Sequence, residues 1–343
     1  MSGRAPLRVG VVGFGYWGPN IVRNLDRLAD AELVVACDAS ETNLARFAAL
    51  YPYAATTGSL DEMLADHDLD AVVVATSAPS HFEVARAALE AGKHCFVEKP
   101  LTLTSADAEE LVRIAEERDL VLMVGHLMVY HSAVNYIKEV IDSGALGDVL
   151  YLYAQRLNLG KVRTEENAFW SLAPHDVSIV HYLLGEAPDT VSATGAAYLN
   201  DGVEDTVFAN LHFPSGRMAN IHVSWLDPHK TRKFTIVGSK KMLVFDDMQA
   251  TEKVWIYDKG VAPKEALGYG EDLTLRFGDI SVPYLKMSEP LALEVQHFCD
   301  CCATGDRPRS DGRGGLEVVR VLEAVDESIR AGGAPVATGL ENA

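Results

Sequence analysis

Three shortages in the sequence limit the kind of protein that it can encode. The 343 residues include only 5 cysteines, Cys37, Cys95, Cys299, Cys301 and Cys302, and this small, odd number forms no disulfide framework and suits a reducing compartment. Basic residues are few, with 30 lysines and arginines against 49 aspartates and glutamates, which gives a net charge of −19. Such a chain would repel a phosphate backbone, so nucleic acid is not an expected partner.

Long apolar runs are also missing. Runs such as residues 71–75 fall far short of the ~20 residues that a membrane-spanning helix needs, and the first residues lack the apolar core of a signal peptide. Hydrophobic residues make up 48% and charged residues 23% of the chain, which is typical of globular proteins, and the length suffices for two domains. We therefore expect a cytoplasmic protein that acts on a small molecule and does not bind a membrane.

A glycine motif between a strand and a helix is the first positive signal. Residues 7–12 have the apolar, β-branched pattern of a buried parallel strand, and a helical pattern begins at Asn20. The Gly-x-Gly-x-x-Gly motif between them consists of Gly13, Phe14, Gly15, Tyr16, Trp17 and Gly18. Its glycines permit a tight turn, a close approach of the backbone to a pyrophosphate, and packing of the helix on the strand. The helix N-terminus favours the phosphates.

A carboxylate follows the second predicted strand, residues 33–37. Asp38 lies 20 residues after Gly18, where a dinucleotide-binding fold places the acid that accepts hydrogen bonds from the ribose hydroxyls. Asp38 would repel a 2′-phosphate, and the next residues, Ala39 and Ser40, supply no arginine to bind one. The expected cofactor is therefore NAD, with NADP disfavoured. The alternative is that Asp38 only caps the next helix.

The pattern of elements predicts two domains. Strands and helices alternate from residue 7 to about residue 125, which predicts a doubly wound parallel sheet in an α/β, NAD(P)-binding Rossmann domain over residues 1–126. Longer strands with alternating apolar residues, such as Val207, Ala209 and Leu211, follow with hairpin signals between them. They predict an α+β domain over residues 127–343 with an open, mainly antiparallel sheet, whose last helices can pack back on the first domain.

One strand of the first domain ends in Glu98, Lys99 and Pro100. Proline cannot donate to a sheet ladder, so the strand stops there. Glu98 and Lys99 are then expected at the carboxyl edge of the sheet, where open α/β folds bind ligands. A lysine in that position can hydrogen-bond a substrate hydroxyl or transfer a proton. The alternative is a surface ion pair that closes a strand.

The glycine motif, the stretch Thr76–His81 and residues 91–100 together resemble the glucose–fructose oxidoreductase, inositol dehydrogenase and rhizopine catabolism (Gfo/Idh/MocA) family. The resemblance covers nearly the whole chain. It implies a sugar dehydrogenase with a Rossmann domain and an open-sheet domain, whose open face forms a homodimer or homotetramer. It also implies that Lys99 serves substrate binding and catalysis. The cofactor-binding residues that it implies, besides the glycine motif and Asp38, are Thr76, Ser77, His81, Glu98 and Lys99.

A stretch of the second domain holds the other candidate site residues. Pro174 suits the first turn of a helix, and the helix N-terminus favours the neutral imidazole of His175 that a general base needs. A lone histidine is more often structural, but the resemblance implies a catalytic residue here, so His175 is predicted as catalytic together with Lys99. Relatives usually carry an aspartate where this chain has Ser171, and Asp176 can supply a carboxylate nearby.

Further substrate-binding candidates are Tyr130, Asn167, Lys161 and Arg163. The last two, with Arg156, form a basic patch that is either a solvated loop or an anion site for the diphosphate of a nucleotide sugar. The glycine motif and the loop at residues 159–163 resemble the branch of the family that acts at C3 of nucleotide-linked sugars.

Two further hypotheses stay open beside that nucleotide-sugar oxidoreductase. One is an inositol or free-sugar dehydrogenase in which the basic loop is only solvated. The other is a cofactor-binding regulator without catalysis, which Ser171 keeps open. No metal site is predicted, because adjacent Cys301 and Cys302 point apart on a helix and no second ligand pair follows.

Overall fold

The protein divides into two compact units. In the computed structural model, which describes residues 5–66, 68–263 and 273–340, the first unit runs up to Tyr130 and includes Ser288–Val319, and the second contains His131–Met287 and the chain from Arg320. The predicted boundary after residue 126 assigned all later residues to the second domain. The segment Ser288–Val319 joins the first unit because its helix packs on that unit's sheet, where the rings of Phe298 and Phe96 lie 5.7 Å apart.

The first unit is the predicted doubly wound domain. Its elements are β1 (Leu7–Val12), α1 (Gly18–Leu25), β2 (Ala31–Cys37), α2 (Glu41–Leu50), β3 (Ala55–Thr57), α3 (Leu60–Asp66), β4 (Ala71–Val74), α4 (His81–Glu90), β5 (His94–Glu98), α5 (Ser105–Glu117) and β6 (Leu122–Gly125). The strands are parallel in the order β3-β2-β1-β4-β5-β6. This order reverses between β1 and β4, where such folds bind dinucleotides. The structure confirms the predicted parallel sheet.

Local sequence explains where these elements begin and why the strands are apolar. Ser40 caps α2 by accepting from the backbone N–H of Asn43 at 3.4 Å, and Thr104 caps α5 by accepting from that of Asp107 at 3.2 Å, the role that short hydroxyl side chains have at helix starts. β4 and β6 are buried along their whole length, since helices cover both faces of a parallel sheet. The strand β3 was not predicted from the sequence.

The second unit is built on a nine-stranded sheet. Its elements are α6 (Ser132–Asp142), β7 (Val149–Leu157), α7 (Ala168–Leu172), α8 (Pro174–Leu184), β8 (Thr190–Ala196), β9 (Thr206–His212), β10 (Met218–Ser224), β11 (Thr231–Gly238), β12 (Met242–Asp246), β13 (Val254–Pro263) and β14 (Leu273–Ser281), followed along the chain by α9 (Pro290–Thr304), α10 (Gly312–Arg330) and β15 (Val336–Ala337). Of the last three, α9 lies in the first unit and β15 in the second.

The second sheet is mainly antiparallel, as predicted, and contains one parallel pair. Its strand order is β14-β13-β12-β11-β7-β10-β9-β8-β15, and β10 pairs with β7 in parallel. Side chains of β9 alternate, with Val207, Ala209 and Leu211 buried and Phe208 exposed, as expected for a sheet with one packed and one open face. The strands β14 and β15 were not predicted from the sequence.

Candidate functional site

The glycine motif forms an open loop between β1 and α1. Gly13 has φ +97°, and a Cβ there would lie 2.7 Å from the carbonyl oxygen of Ala75, so the position requires glycine. Gly15 is exposed and has open space where a side chain would be, and Tyr16 beside it is 95% exposed. The loop thus offers bare backbone beside the first turn of α1, which is what a dinucleotide pyrophosphate requires.

Asp38 lies against this loop at the carboxyl end of β2. Its carboxylate accepts hydrogen bonds from the backbone N–H of Phe14 at 2.7 Å and of Ser40 at 2.8 Å, and from the side-chain amide of Asn43. The residue is half-buried. These contacts hold a negative charge beside the glycine loop, which fits a ribose-binding acid better than a simple helix cap, because Ser40 performs the capping of α2.

Arg46 is a residue of this region that sequence reasoning missed. Its guanidinium donates to the carbonyl oxygens of Phe14 and Gly15 and lies 4.9 Å from the centroid of the Phe14 ring. The contact arises because α2 returns to the glycine loop, and a search for an arginine directly after Asp38 does not detect it. Arg46 thus stabilises the conformation of the glycine loop through charge-assisted hydrogen bonds.

His81 connects the loop after β4 with the end of β5. Its ring nitrogens lie 2.8 Å from the carbonyl oxygen of Pro100 and 3.2 Å from that of Thr76, and Thr76 also contacts the Ser80 hydroxyl at 2.8 Å. The ring is buried, and burial lowers its pKa despite the carbonyl contacts. His81 was predicted to bind the cofactor directly. Its geometry instead makes it a brace for Pro100, whereas Thr76 is half-buried and Ser77 is exposed.

The strand-end residues Glu98 and Lys99 are both half-buried and lie at the carboxyl edge of β5. The Glu98 carboxyl accepts from the backbone N–H of Lys99 at 3.2 Å and from the side chain of Trp17 in the glycine motif. It fits against Gly125 of β6, where an added Cβ would lie 3.1 Å from the carboxyl carbon. Burial raises the pKa of Glu98 to about 7, against the opposing effects of Lys99 and Trp17. The first unit thus brings the glycine motif and the lysine segment together.

Tyr130 lies in the interior of the first unit. Its hydroxyl is 3.3 Å from that of Ser310 and 3.9 Å from the sulfur of Met123, and the Arg309 guanidinium lies 5.1 Å from its ring centroid. The side chain is 2% exposed, and burial raises its pKa. Tyr130 was a weak candidate for substrate binding, and a hydroxyl so deeply buried does not suit that role.

In the second unit, Asp176 and Arg156 form a buried bidentate ion pair. Two N–H groups of Arg156 on β7 donate to the two carboxylate oxygens of Asp176 on α8, each at 2.8 Å, and the side chains are only 7% and 1% exposed. Asp176 was expected to contact substrate and Arg156 to join a basic patch. Each instead neutralises the other, and the pair anchors the first turn of α8, where half-buried His175 lies.

Asn167 is the cap of α7 and contacts two acids. Its side-chain oxygen accepts from the backbone N–H of Phe169 and of Trp170, both at 3.1 Å, while its amide nitrogen donates to Glu204 at 3.1 Å and Asp326 at 2.9 Å. These contacts occupy the side chain that was expected in the substrate pocket. They orient the short helix that carries half-buried Ser171.

Lys161 and Arg163 lie in an exposed loop after β7. Arg163 is 3.5 Å from the carboxylate of Glu166, and both side chains are well exposed. Within the described residues, no group of three or more histidines, cysteines, aspartates or glutamates could hold a metal ion, and no helix there is both long and apolar enough to cross a membrane.

A parallel sheet of this order, with a bare glycine loop, a braced strand-end carboxylate and a lysine at the neighbouring strand end, defines a protein of the dinucleotide-binding class. Residues 7–126 match the family described as "Oxidoreductase family, NAD-binding Rossmann fold", and residues 134–244 match the GFO/IDH/MocA C-terminal domain. The chain therefore belongs to the Gfo/Idh/MocA oxidoreductase family, and its first domain binds NAD. Both expectations from the sequence are confirmed.

Three relatives illustrate the range of the family. An "Uncharacterized oxidoreductase" of Streptococcus pneumoniae is 31% identical over 62% of this chain, and the match spans only 61% of that relative's length. The "UDP-N-acetylglucosamine 3-dehydrogenase" of Acidithiobacillus ferrooxidans is 28% identical over 95% of this chain and 98% of its own. Its solved structure superimposes with a TM-score of 0.80, covering 96% of this chain and 99% of that one. A "Myo-inositol 2-dehydrogenase" of Thermotoga maritima is 26% identical over 74% of this chain and 79% of its own.

Proposed function

We propose that the protein transfers a hydride between NAD and a carbinol or keto carbon of a sugar, with C3 of a nucleotide-linked sugar as the first candidate. The observation that carries this proposal is the bond from the Trp17 side chain to Glu98. It ties the glycine motif to the strand end that carries Lys99, which supports a role for the Lys99 side chain at the edge of the dinucleotide site. The relative whose name specifies a UDP-sugar and position 3 supports the choice of substrate.

Each proposed residue has a distinct task. Bound NAD supplies the nicotinamide carbon that accepts or returns the hydride. Lys99 hydrogen-bonds the reacting hydroxyl, and His175 takes the hydroxyl proton during oxidation or returns it during reduction, as a neutral imidazole can near pH 7. Glu98 accepts from the backbone N–H of Lys99 at 3.2 Å and orients the lysine segment. The Arg156–Asp176 pair holds the helix turn that carries His175.

One observation favours a second candidate substrate, an inositol or a free sugar. Arg156 is buried against Asp176 and Arg163 lies close to Glu166, so the loop offers a diphosphate less positive charge than its sequence suggests. Lys161 is the exposed cation that neither pair occupies. The nucleotide sugar keeps first place because of the relative that matches nearly the full chain.

The test is an assay of nicotinamide absorbance with NAD across UDP-sugars, free sugars and inositols. We expect turnover with at least one UDP-sugar, and a loss of kcat of ~10²–10⁴-fold in Lys99→Ala and in His175→Ala, the usual contribution of an acid–base residue. The matched control is Lys93→Ala, which removes a lysine at the opposite end of β5 that donates to the Leu69 carbonyl oxygen at 2.8 Å and should retain turnover.

Three results would overturn parts of the proposal. Turnover of inositols or free sugars alone would select the second substrate class. NAD binding without turnover of any substrate would favour the hypothesis of a cofactor-binding regulator, which the presence of Ser171 keeps open. Wild-type turnover in Lys99→Ala would remove that lysine from the mechanism.

A further inference from the structure

Glu294 is a fully buried acid in the first unit that the proposed mechanism does not use. It lies on α9, is 0% exposed, and neither oxygen of its carboxyl group has a hydrogen-bond partner among the described residues. Buried carboxylates are normally paired or hydrogen-bonded, because removing a charge from water without compensation costs several kcal/mol. An acid in this position is therefore expected to hold a proton or to have a specific neighbour.

Glu98 is the neighbour of Glu294 across the contact between β5 and α9. The ring of Phe96, two residues before Glu98 on the same face of β5, lies 5.7 Å from the ring of Phe298, one helical turn after Glu294. Burial, followed by the charge of Glu98, raises the pKa of Glu294 well above its ordinary value. Glu294 also raises the pKa of Tyr130 in part. Two interacting carboxyl groups, of which one is fully buried and the other half-buried, are not both ionised near neutral pH. One of the two must be protonated, and the one without hydrogen-bond donors is Glu294.

We propose that Glu98 and Glu294 form one carboxyl pair that carries a single negative charge, in which Glu294 is a positioning residue that holds a proton and Glu98 is the charged acceptor that orients the Lys99 segment. The inference deepens the proposed function, since the role of Lys99 rests on it. A protonated Glu294 leaves the charge on Glu98, where the Trp17 side chain and the Lys99 backbone N–H donate to it.

Other titratable or charged groups lie near the two acids in the first unit. Lys99 favours the charged form of Glu98, and the raised pKa of about 7 implies that this charge is lost as the pH falls through neutrality. His126 follows Gly125, against which the Glu98 carboxyl packs. Tyr130 interacts electrostatically with Glu294, and the Arg309 guanidinium lies 5.1 Å from its ring centroid. Because the acids interact, their two protons leave in two steps whose apparent pKa values belong to the pair and not to either residue.

The test measures thermal unfolding of the full-length protein without added cofactor or substrate. A carboxyl with a raised folded-state pKa binds its proton more tightly in the folded than in the unfolded chain, so its stabilising effect is lost as the pH rises above its ordinary pKa of 4.5. Glu294→Gln removes this loss. We expect the melting temperature of the variant, minus that of the wild type, to rise with pH above about pH 5, by on the order of 2 °C for each pH unit over the range in which Glu294 stays protonated in the folded wild type.

A matched control separates this effect from a general change in the helix. Asp300→Asn removes an exposed carboxylate of α9 that accepts from Gln296 at 2.9 Å, and its melting difference from the wild type should not depend on pH in this way. Glu294→Met, which replaces the acid with an apolar side chain of similar length, should show the same slope as Glu294→Gln even if the amide disturbs packing. A pH-independent difference in both Glu294 variants would overturn the proposal.

Two further measurements locate the proton. Infrared spectra of protein labelled with ¹³C-glutamate should show a protonated carboxyl band at neutral pH that Glu294→Gln loses. In the pH profile of kcat/KM, the decrease on the acid side should occur at the same pH in this variant as in the wild type, because Glu98 retains its charge. A large shift of that decrease to lower pH would mean that Glu294 is ionised in the wild type. The unfolding and infrared experiments do not depend on turnover. If both give the expected results in a protein that turns over no substrate, they support the carboxyl pair and contradict the proposed function.

Discussion

At the scale of single residues, Asp38 determines the expected preference for NAD over NADP. Its carboxylate is fixed beside the glycine loop by the backbone N–H groups of Phe14 and Ser40. A fixed negative charge accepts hydrogen bonds from a ribose and repels a 2′-phosphate. The preference for NAD therefore depends on the charge of the Asp38 carboxylate more than on its shape.

Asp38→Asn keeps the shape and removes the charge. We expect the ratio of NADH to NADPH affinity to fall by ~10–100-fold, since a hydrogen bond to a charged group contributes ~1.5–3 kcal/mol. Fluorescence titration with both reduced cofactors measures the ratio. Glu41→Gln, which neutralises an exposed acid in the first turn of α2, is the control and should leave the ratio unchanged. An equal loss for both cofactors would contradict the assignment.

At the scale of elements, the Arg156–Asp176 pair fixes the first turn of α8 on β7. Burial alone would lower the pKa of Arg156, and Asp176 overrides that effect and raises it. Both charges are therefore retained in the interior, and each depends on the other. The position of the helix turn that carries His175 therefore depends on this ion pair.

Asp176→Asn should destabilise the protein by ~3–5 kcal/mol, because it leaves a buried guanidinium without its counter-charge. Denaturant unfolding measures the change. Glu166→Gln, which removes the acid beside exposed Arg163, should cost ~0–1 kcal/mol. The double change Arg156→Met with Asp176→Leu should regain much of the stability, because apolar side chains can replace a buried pair. Equal costs for the two single variants would show that the buried pair has no special role.

At the scale of the whole molecule, we propose that the open face of the second sheet is the contact surface of a homodimer or homotetramer. Tyr151, Phe208 and Met218 on this face are 44%, 46% and 48% exposed, and Met218 stands opposite Tyr151 on the adjacent strand. Exposed apolar side chains that share one face of a sheet are typical of a surface covered by another copy.

Sedimentation of the wild type should therefore give a mass that is a multiple of the 37.2 kDa chain. The double change Tyr151→Glu with Met218→Glu should shift the protein towards the monomer, since facing carboxylates repel each other and lose apolar contact area. Leu50→Glu introduces a charge at a residue of α2 that is 60% exposed and should leave the mass unchanged. A monomeric wild type would remove this surface from the proposal.

Local patterns were sufficient for the fold class and the cofactor. The glycine motif, Asp38 and the end of β5 could be read directly, because turns, strand ends and helix starts depend on neighbours a few residues apart. The alternation of Val207, Ala209 and Leu211 likewise predicted a sheet with one open face. The short strands β3 and β15 were missed because they carry too few residues for a period to be visible.

Only the packed molecule assigned the polar side chains their partners. The sequence predicted that Arg156 belongs to a basic patch and that Asp176 binds substrate. In the folded protein the two side chains form an ion pair with each other. Glu294 was not singled out from the sequence, because it gains Glu98 as a neighbour only when α9 packs in the first unit. Such pairings join residues that are far apart in the chain, so local sequence patterns do not predict them. They form because a buried charge without a partner is energetically costly.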